Sequence, residues 1–468
     1  MSLIIPANSA SAAGGYAVDN SCRFNGTAAY LNRTQGTSTN LTKFAWSGWI
    51  KRSKLAADQV VTMNYASASN YGYFYFRGTD DIRIFDRGAG GDTVAISDML
   101  FRDISAWYHI ALIIDTTQAT NTNRLKLYVN GILQGLNGVT YPAENASLGW
   151  KVANTSNTFL MRANSADSYV GGYLAEVAYV DGTANAITDF GEFDEDSGIW
   201  KPIDVSGLTF GNEGYYLDFQ DSANLGNDAN GGTDFTSNNI SSINQSLDTP
   251  TNNYCTLNPL FRNQTRTNQT NYSIGNTKGA GIGDAMAEGS MLVYGGKWYY
   301  EATTLGDTMF GWGQAGKWPG DAPGQSFTDT GSGVGLHSNG RILYKAAYIT
   351  GASESFNSGT NTVMIAIDFD NQKFYHGKNG NWAHSMNPAG NSGGEGLDST
   401  FWDGVRHGWV PAFRISNGAS DYSQVNFGNP LKSISSGNAD DNSHGNFEYD
   451  VPAGFYALNT KNLAEHGG

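Results

Sequence analysis

Trp107-Tyr-His-Ile-Ala-Leu-Ile-Ile-Asp115, followed after a polar connection by Arg124-Leu-Lys-Leu-Tyr-Val-Asn-Gly131, reads as two β-strands. β-branched and aromatic residues suit a pleated, half-buried surface, and Asn130-Gly131 supplies the positive φ angles of a tight hairpin turn. Working outward, Phe44-Ala-Trp-Ser-Gly-Trp-Ile50 alternates as a half-buried strand should. Tyr71-Gly-Tyr-Phe-Tyr-Phe76 follows a Ser/Asn-rich turn, and Gly172-Tyr-Leu-Ala-Glu-Val-Ala-Tyr-Val-Asp-Gly182 makes a further strand. The pattern is that of an all-β chain.

Composition agrees. The 468 residues include 59 glycines, only 15% are charged, and Tyr, Phe and Trp reach 13%. That length exceeds one core and fits two large β domains. No segment approaches the roughly 18 unbroken apolar residues of a membrane span. Met1 to Gly15 lacks the basic stretch of a signal peptide, so no export signal is expected. A net charge of −15 and a pI near 4.8 argue against nucleic acid, because phosphate binding needs clustered Lys and Arg. Cys22 and Cys255 are too few and too distant for a disulfide framework or a Cys-rich zinc site, and are read as buried thiols. Asn-x-Ser/Thr triplets at Asn25, Asn32, Asn40 and Asn271 are chance products of an Asn/Ser/Thr-rich chain.

Two resemblances sharpen the fold. Trp107-Tyr-His-Ile-Ala111, Leu127-Tyr-Val-Asn-Gly131 and Ala175-Glu-Val-Ala-Tyr-Val-Asp-Gly182 resemble successive strands of a laminin-G-type, concanavalin-A-like sandwich, over roughly Cys22 to Gly182. Lys297-Trp-Tyr-Tyr-Glu301, Gly333-Val-Gly-Leu336, Ile365-Ala-Ile-Asp-Phe-Asp-Asn-Gln-Lys-Phe-Tyr375, Lys378-Asn-Gly-Asn-Trp382, Pro411-Ala-Phe413 and Val425-Asn-Phe-Gly428 resemble a SPRY domain in their order. The expected fold is therefore two antiparallel jelly-roll β-sandwich domains, both concanavalin-A-like, joined by an irregular linker. Residues 1–20 form an anchoring arm, with Ile4, Ile5 and Pro6 its apolar anchor. Residues 21–250 form the first sandwich with a polar extension, some of which packs back on it. Residues 251–285 form the linker, with the boundary near residue 260, and residues 286–468 the second sandwich.

Candidate chemistry is sparse. Glu192-Phe-Asp-Glu-Asp196 approaches the alternating carboxylates of sandwich glucanases, but the spacing is one short and turn-formers flank it, so a solvated acidic loop is expected. No Gly-x-Ser-x-Gly elbow and no His-x-x-x-His occur. His109 is read as a core or turn-supporting histidine, and His337, His376 and His407 as core or surface residues. The glycines of Gly331-Ser-Gly-Val-Gly335 and Gly279-Ala-Gly-Ile-Gly283 belong to hairpins and strands, since neither run opens a helix. Asp228-Ala-Asn-Gly-Gly-Thr-Asp234 partly matches a calcium loop, with Asp228, Asn230 and Asp234 as candidate ligands, but lacks the distal bidentate Glu. The laminin-G resemblance implies calcium at a loop rim; no other cofactor is expected.

Aromatic residues carry the remaining functional signal. Trp298, Tyr299 and Phe413 should feed the core, whereas Trp312, Trp318, Trp382 and Trp402 lie beside Gly, Pro, Asp or Asn in expected loops. With Asp321, Asn379 and Asn381 they form the candidate ligand site, because flat rings beside amides and carboxylates suit saccharide stacking and hydrogen bonding.

Ser2-Leu-Ile-Ile-Pro-Ala-Asn8, Tyr216-Leu-Asp-Phe219 and Ala223-Asn-Leu-Gly-Asn-Asp228 resemble structural proteins of marine tailed bacteriophages. That resemblance implies a non-enzymatic component of the virion surface, a fibre or capsid/tail decoration. Attachment or adhesion would run through the sandwich loops, and the N-terminal arm would bind other virion proteins. A host surface glycan is the further expected partner and a homo-oligomer, as a trimer, the expected assembly, although no coiled-coil heptad enforces one. The alternatives are a carbohydrate-binding, lectin-like receptor-binding protein and a glycan depolymerase.

Overall fold

The computed structural model describes all residues except 1–14, 151–155, 262–269, 282–284, 317–325, 352–354, 404–406, 416–420 and 468. The chain divides into two compact units, Ala13–Thr251 and Asn252–Gly468. Among the described strands every pairing is antiparallel, except that Tyr456–Ala457 runs parallel to Lys297–Leu305.

In the first unit, one sheet runs Ile132–Leu133, Leu125–Val129, Trp107–Asp115, Lys43–Arg52, Gly171–Asp181, Ser21–Asn25, Gln245–Ser246. The other runs Leu136–Thr140, Gly91–Ser97, Ile82–Gly88, Asn70–Phe76, Gln59–Ser67, Asn157–Leu160, Tyr30–Thr34, Thr236–Asn238. Their facing sides share one core, in which Phe44, Trp46, Ile110 and Leu112 meet Val61, Phe74, Phe76 and Ile84. The Trp46 ring meets Phe74 edge-on at 4.8 Å. Removing each such side chain from water is worth about 1.5–3 kcal/mol, so this face fixes the register. Asn130 (φ 47°) and Gly131 (φ 76°) make the expected tight turn.

Trp107–Asp115 is buried at every position because its sheet is covered on both sides. Ile110, Leu112 and Ile114 face the sandwich core, while the polar extension folds over the opposite face. There Phe190, Val205, Phe210 and Tyr216 cover Ala45, Ile113, Ala178 and Val180, and Trp200 joins Trp49, Trp107 and Tyr173. An unbroken apolar run is the sequence mark of a strand buried on both faces.

Of the expected arm, residues 1–14 lie outside the described residues. Tyr16 and Val18, which belong to its remainder, dock on the chain's own first unit: Val18 exchanges hydrogen bonds with Thr251 Oγ1 at 3.0 and 3.1 Å and packs with Trp49 and Trp107.

In the second unit, one sheet runs Asn271–Ser273, Lys278–Ala280, Tyr422–Asn426, Lys297–Leu305, Ser358–Asp368, Lys373–Lys378, Asn381–Trp382. It faces Ala285–Glu288, Trp409–Ile415, Thr308–Gln314, Gly333–His337, Ile342–Tyr344, Ala347–Tyr348. Trp298, Tyr300, Ile365 and Phe374 meet Phe310, Trp312, Val334 and Phe413 between them. Tyr299 points to the other side, where Phe447 covers it at 5.0 Å. The buried Glu301 carboxylate ties the C-terminal segment to that same face by accepting the Glu448 and Tyr449 amides at 3.0 and 2.8 Å.

Residues 252–261, expected within the linker, contribute to this unit instead. Cys255 and Leu257 join its core, and the Cys255 amide donates to Leu458 O at 2.9 Å. A few apolar side chains amid Asn and Thr were enough to dock this stretch, a count too low to show as a period. Cys22 and Cys255 are both buried thiols.

Candidate functional site

Three of the tryptophan-rich candidate residues come together. The strand Lys373–Lys378 turns through Asn379 (φ 49°) and Gly380 (φ 84°) and returns as Asn381–Trp382, which pairs Lys378 with Asn381 and Gly377 with Trp382. Two consecutive left-handed residues are the mark of a type I′ turn. Asn379 stabilises it further, since its Oδ1 accepts the Thr362 amide and its Nδ2 donates to Asn361 Oδ1, both at 2.9 Å.

Beside this hairpin lies a cavity of about 420 Å³, inside the roughly 300–1,000 Å³ of small-ligand sites. Leu336, Phe356 and His376 form its floor; Asn379, Asn381, Trp382 and His384 form its rim. Trp382 is half-buried, with its ring edge-on to Tyr299 at 6.4 Å, while Asn381 and His384 are exposed. His384 (φ 50°) and Ser385 (φ 58°) hold left-handed backbone without glycine, the kind of strain that persists where surrounding structure enforces it.

His376, expected as a core or surface histidine, is a buried strand residue whose place in the cavity floor a lone histidine does not reveal in sequence. It is 1% exposed, and its Nε2 has no hydrogen-bond partner among the described residues. Burial, with a smaller contribution from His384 at 6.0 Å, holds its pKa down to about 4, so its imidazole is neutral near neutral pH. The rim thus offers a flat ring, amides and an imidazole, above the neutral His376 of the floor. Among the described residues that line it there is no carboxylate.

The other tryptophan candidates are placed differently. Trp312, expected in a loop, is fully buried in the strand Thr308–Gln314, between Tyr300 and Phe369. Its neighbour Gly311 is a strand residue, where a Cβ would meet Val334 O at 1.8 Å. Glycine there permits close backbone approach and does not mark a turn. Trp402, also expected as a ligand-facing loop residue, is 6% exposed: its Nε1 donates to Leu397 O at 3.0 Å and its ring packs on Phe369 and Phe401. Trp318 and Asp321 lie outside the described residues.

The polar motifs are spent on structure. Glu192 lies on the short strand Gly191–Phe193, paired with Trp200–Pro202, and meets Lys201 at 3.3 Å. Asp194 accepts the Ser197 amide and hydroxyl at 2.9 and 2.8 Å, which with Lys201 holds its carboxyl down to about 2. The acidic pentad is therefore a short strand at Glu192 and Phe193, with Glu192 and Asp194 paired to Lys201, followed by the expected solvated turn at Glu195 and Asp196. His109 is buried, with Nε2 2.8 Å from Ser47 Oγ and its ring between Trp49 and Trp200.

In the calcium candidate, Asp228 Oδ1 accepts the Tyr216 and Asn230 amides, and Oδ2 lies 3.5 Å from Arg33. Asp234 accepts from the Asp228 amide and from Asn224 Nδ2. Among the described residues no group of three His, Cys, Asp or Glu side chains is placed to hold a metal, and no helix is long and apolar enough to cross a membrane.

A second concavity, on the first unit, went unread as a site. Tyr71, Tyr73 and Tyr75 look like ordinary strand alternation in sequence, yet all three line one cavity of about 500 Å³ with Tyr65. The available signal was that each outward position of one strand is tyrosine.

Residues 25–186 match a laminin-G-type family model described as the concanavalin A-like lectin/glucanases superfamily. No curated protein matches the chain by sequence. Among solved structures, the chain is similar to a native heptameric SAP-like pentraxin from Limulus polyphemus, with 13% identity, 43% of this chain and 93% of that chain covered, and a TM-score of 0.30. It is similar to domains LG4-5 of the mouse laminin alpha1 chain, with 11% identity, 90% and 86% covered, and a TM-score of 0.29. It is also similar to the SPRY domain of human HERC1, with 15% identity, 32% and 82% covered, and a TM-score of 0.23. The matched sequence and the two face-to-face antiparallel sheets make the first unit a concanavalin-A-like, laminin-G-like domain.

Proposed function

We propose that this chain is a non-enzymatic binding protein that recognises a saccharide through the rim of its second sandwich, as a fibre or decoration component of a virion surface. The observation that carries the binding role is the hairpin rim, where a half-buried Trp382 stands beside exposed Asn381 and His384 over a cavity of small-ligand size. A tryptophan face stacks on the apolar face of a sugar ring while neighbouring amides and imidazole meet its hydroxyls. The lectin/glucanase fold of residues 25–186 supports binding in general, and loops on a rigid sandwich are where such folds carry function. The virion setting, the arm as the contact to other virion proteins and a homo-oligomeric, trimeric assembly rest on the sequence resemblance.

The test is a glycan array with the full chain and its Trp382→Ala variant. Saturable binding lost in the variant, with no oligosaccharide released from the bound glycan, is the expected result. Retained binding removes the rim from the site, and released product moves the chain to the depolymerase class. Immunogold labelling of intact particles tests the virion setting, and light scattering the trimer.

A further inference from the structure

The outward side of the second sheet of the first unit is an aromatic floor. Cross-strand register sets it out in rows. Asn157, Tyr65, Tyr71, Arg87 and Asp92 lie side by side on successive strands, then Phe159, Met63, Tyr73, Phe85 and Val94, then Val60, Tyr75, Arg83 and Ile96. Phe74 and Phe76 alternate inward to the core, so the tyrosines are not needed to fill it. Their rings are half-buried and nearly continuous: Tyr65 to Tyr71 is 6.1 Å, Tyr71 to Tyr73 is 6.0 Å at 10°, and Tyr73 to Tyr75 is 5.4 Å. Phe85 lies 5.4 Å from Tyr71 and 5.5 Å from Tyr73. Among the described residues no hydrogen bond engages the hydroxyls of Tyr65, Tyr71, Tyr73 or Tyr75.

The floor has a built wall. Residues 163–168 form a turn in which Ala166 (φ 59°) and Ser168 (φ 52°) are left-handed, and the Val60 amide donates to Ser168 O at 2.8 Å. Arg162 pins the turn by donating to Ala163 O at 2.9 Å and Asn164 O at 3.2 Å. Charges of both signs surround the floor: Asp58, Arg87 and Asp167 line it, Arg83 lies over Phe85, Arg162 over Phe159, and Asp92 pairs with Arg87. Arg87 grips Asp92 through two hydrogen bonds of 2.8 and 2.6 Å while lying over Tyr71 and Phe85.

We propose that this tyrosine floor is a second ligand site, distinct from the hairpin rim, that binds an extended neutral oligosaccharide along the strand Asn70–Phe76. Tyrosine presents a rigid flat ring with a polar tip at low entropic cost, which suits a ligand made of apolar ring faces edged with hydroxyls. The mixed charges disfavour a strongly ionic ligand. At about 3.4 Å per residue, Tyr71 to Tyr75 spans about 14 Å, more than a single sugar ring occupies. A wall and floor already fixed in place spare the ordering that binding otherwise costs.

The experiment titrates the full chain with maltohexaose, cellohexaose, laminarihexaose and mannohexaose, with hexagalacturonate as the charged comparator. Saturable binding to at least one neutral hexasaccharide is expected. It should be weakened up to about tenfold in Tyr73→Ala and weakened less in Tyr73→Phe. In the unmodified chain, the bound sugar should also protect Tyr71, Tyr73 and Tyr75 from nitration, a readout that needs no variant to fold. Absence of binding to all four neutral sugars overturns the proposal, as does preference for hexagalacturonate or affinity indifferent to Tyr73→Ala without nitration protection. A concentration-dependent dimer that Tyr73→Ala abolishes would assign the floor to a second copy and also overturn it. Loss in Trp382→Ala with retention in Tyr73→Ala would keep the rim and remove the floor; the reverse would keep the floor alone.

Discussion

The two concavities are made in opposite ways. On the first unit the floor is the sheet itself: four tyrosines and Phe85 stand on adjoining strands whose other side is locked into the core, so their spacing is set by strand register. On the second unit the rim is a hairpin end, where Asn379, Gly380, His384 and Ser385 all hold left-handed backbone and the tryptophan is placed by a turn. A surface built on register is as rigid as the fold, whereas one built on turns can be altered locally. The difference separates mutations that unfold from mutations that only unbind.

The largest expected effect tests that separation on two tryptophans that look alike in sequence. Trp312→Ala empties a fully buried site between Tyr300 and Phe369 and should cost about 3–5 kcal/mol of stability in the second unit, read by denaturant titration. Trp382→Ala truncates a half-buried rim residue and should cost roughly 1 kcal/mol or less while removing ligand binding. Equal losses of stability would place both residues in the core and leave the rim without its stacking surface.

Next in size is a pH effect confined to the first unit. Glu176 sits at a bulge in Gly171–Asp181 with φ 49°, is 6% exposed, and accepts the Tyr216 hydroxyl at 2.6 Å. Burial raises its pKa from 4.5 to about 7, against the pull of the Tyr216 and Tyr16 hydroxyls. The folded chain therefore holds this proton up to about pH 7, whereas the unfolded chain releases it near pH 4.5. The resulting stabilisation is complete below pH 4.5 and lost as pH rises to about 7. Glu176→Gln, which cannot ionise, should gain on the unmodified chain across that window, by on the order of 3 kcal/mol. Parallel stability curves for the two proteins would show that the carboxyl is not carrying a proton in the fold.

Much of the architecture was readable because strand alternation and turn chemistry are local. Asn130-Gly131 marks its own turn, and Trp298 and Phe413 lie in the core as their strand positions require. Trp312 departs from the loop expectation because its flanking glycines suggest a turn, when Gly311 serves the close approach of Val334 O. The tyrosines of Asn70–Phe76 were assigned to a strand, yet their joining with Tyr65 and Phe85 depends on cross-strand register, which one sequence does not display. His376 is a related case. Its environment is assembled from Leu336, Phe356 and the hairpin, which are distant along the chain.

A smaller effect addresses the turn that makes the rim adjustable. Gly380 has φ 84°, and a Cβ there would meet Tyr449 Cδ1 at 2.9 Å. Gly380→Ala should cost about 1–2 kcal/mol through the left-handed backbone alone and should weaken rim binding by displacing Trp382, while leaving the tyrosine floor untouched. Unchanged rim affinity would mean that the turn does not position the ring.

The smallest expected effect concerns calcium on the first unit. A calcium ion takes six to eight oxygens, typically with several carboxylates turned towards it. In the loop from Asp228 to Asp234 the carboxylates are turned elsewhere: Asp228 Oδ1 accepts two backbone amides, Asp234 accepts the Asp228 amide at 2.9 Å and Asn224 at 2.8 Å, and Arg33 faces Asp228 Oδ2 at 3.5 Å. Arg33 is itself fixed, donating to Thr233 O at 3.0 Å and lying 5.0 Å over both Tyr215 and Phe235. A cation entering here would have to displace backbone donors and sit beside a guanidinium. Millimolar calcium, or its removal by a chelator, should leave the melting temperature of the chain where it was. A rise of several degrees that grows with calcium concentration would reveal an ion bound only by the folded state. The loop would then have to reorganise around that ion, with Arg33 swung out of its contact with Asp228.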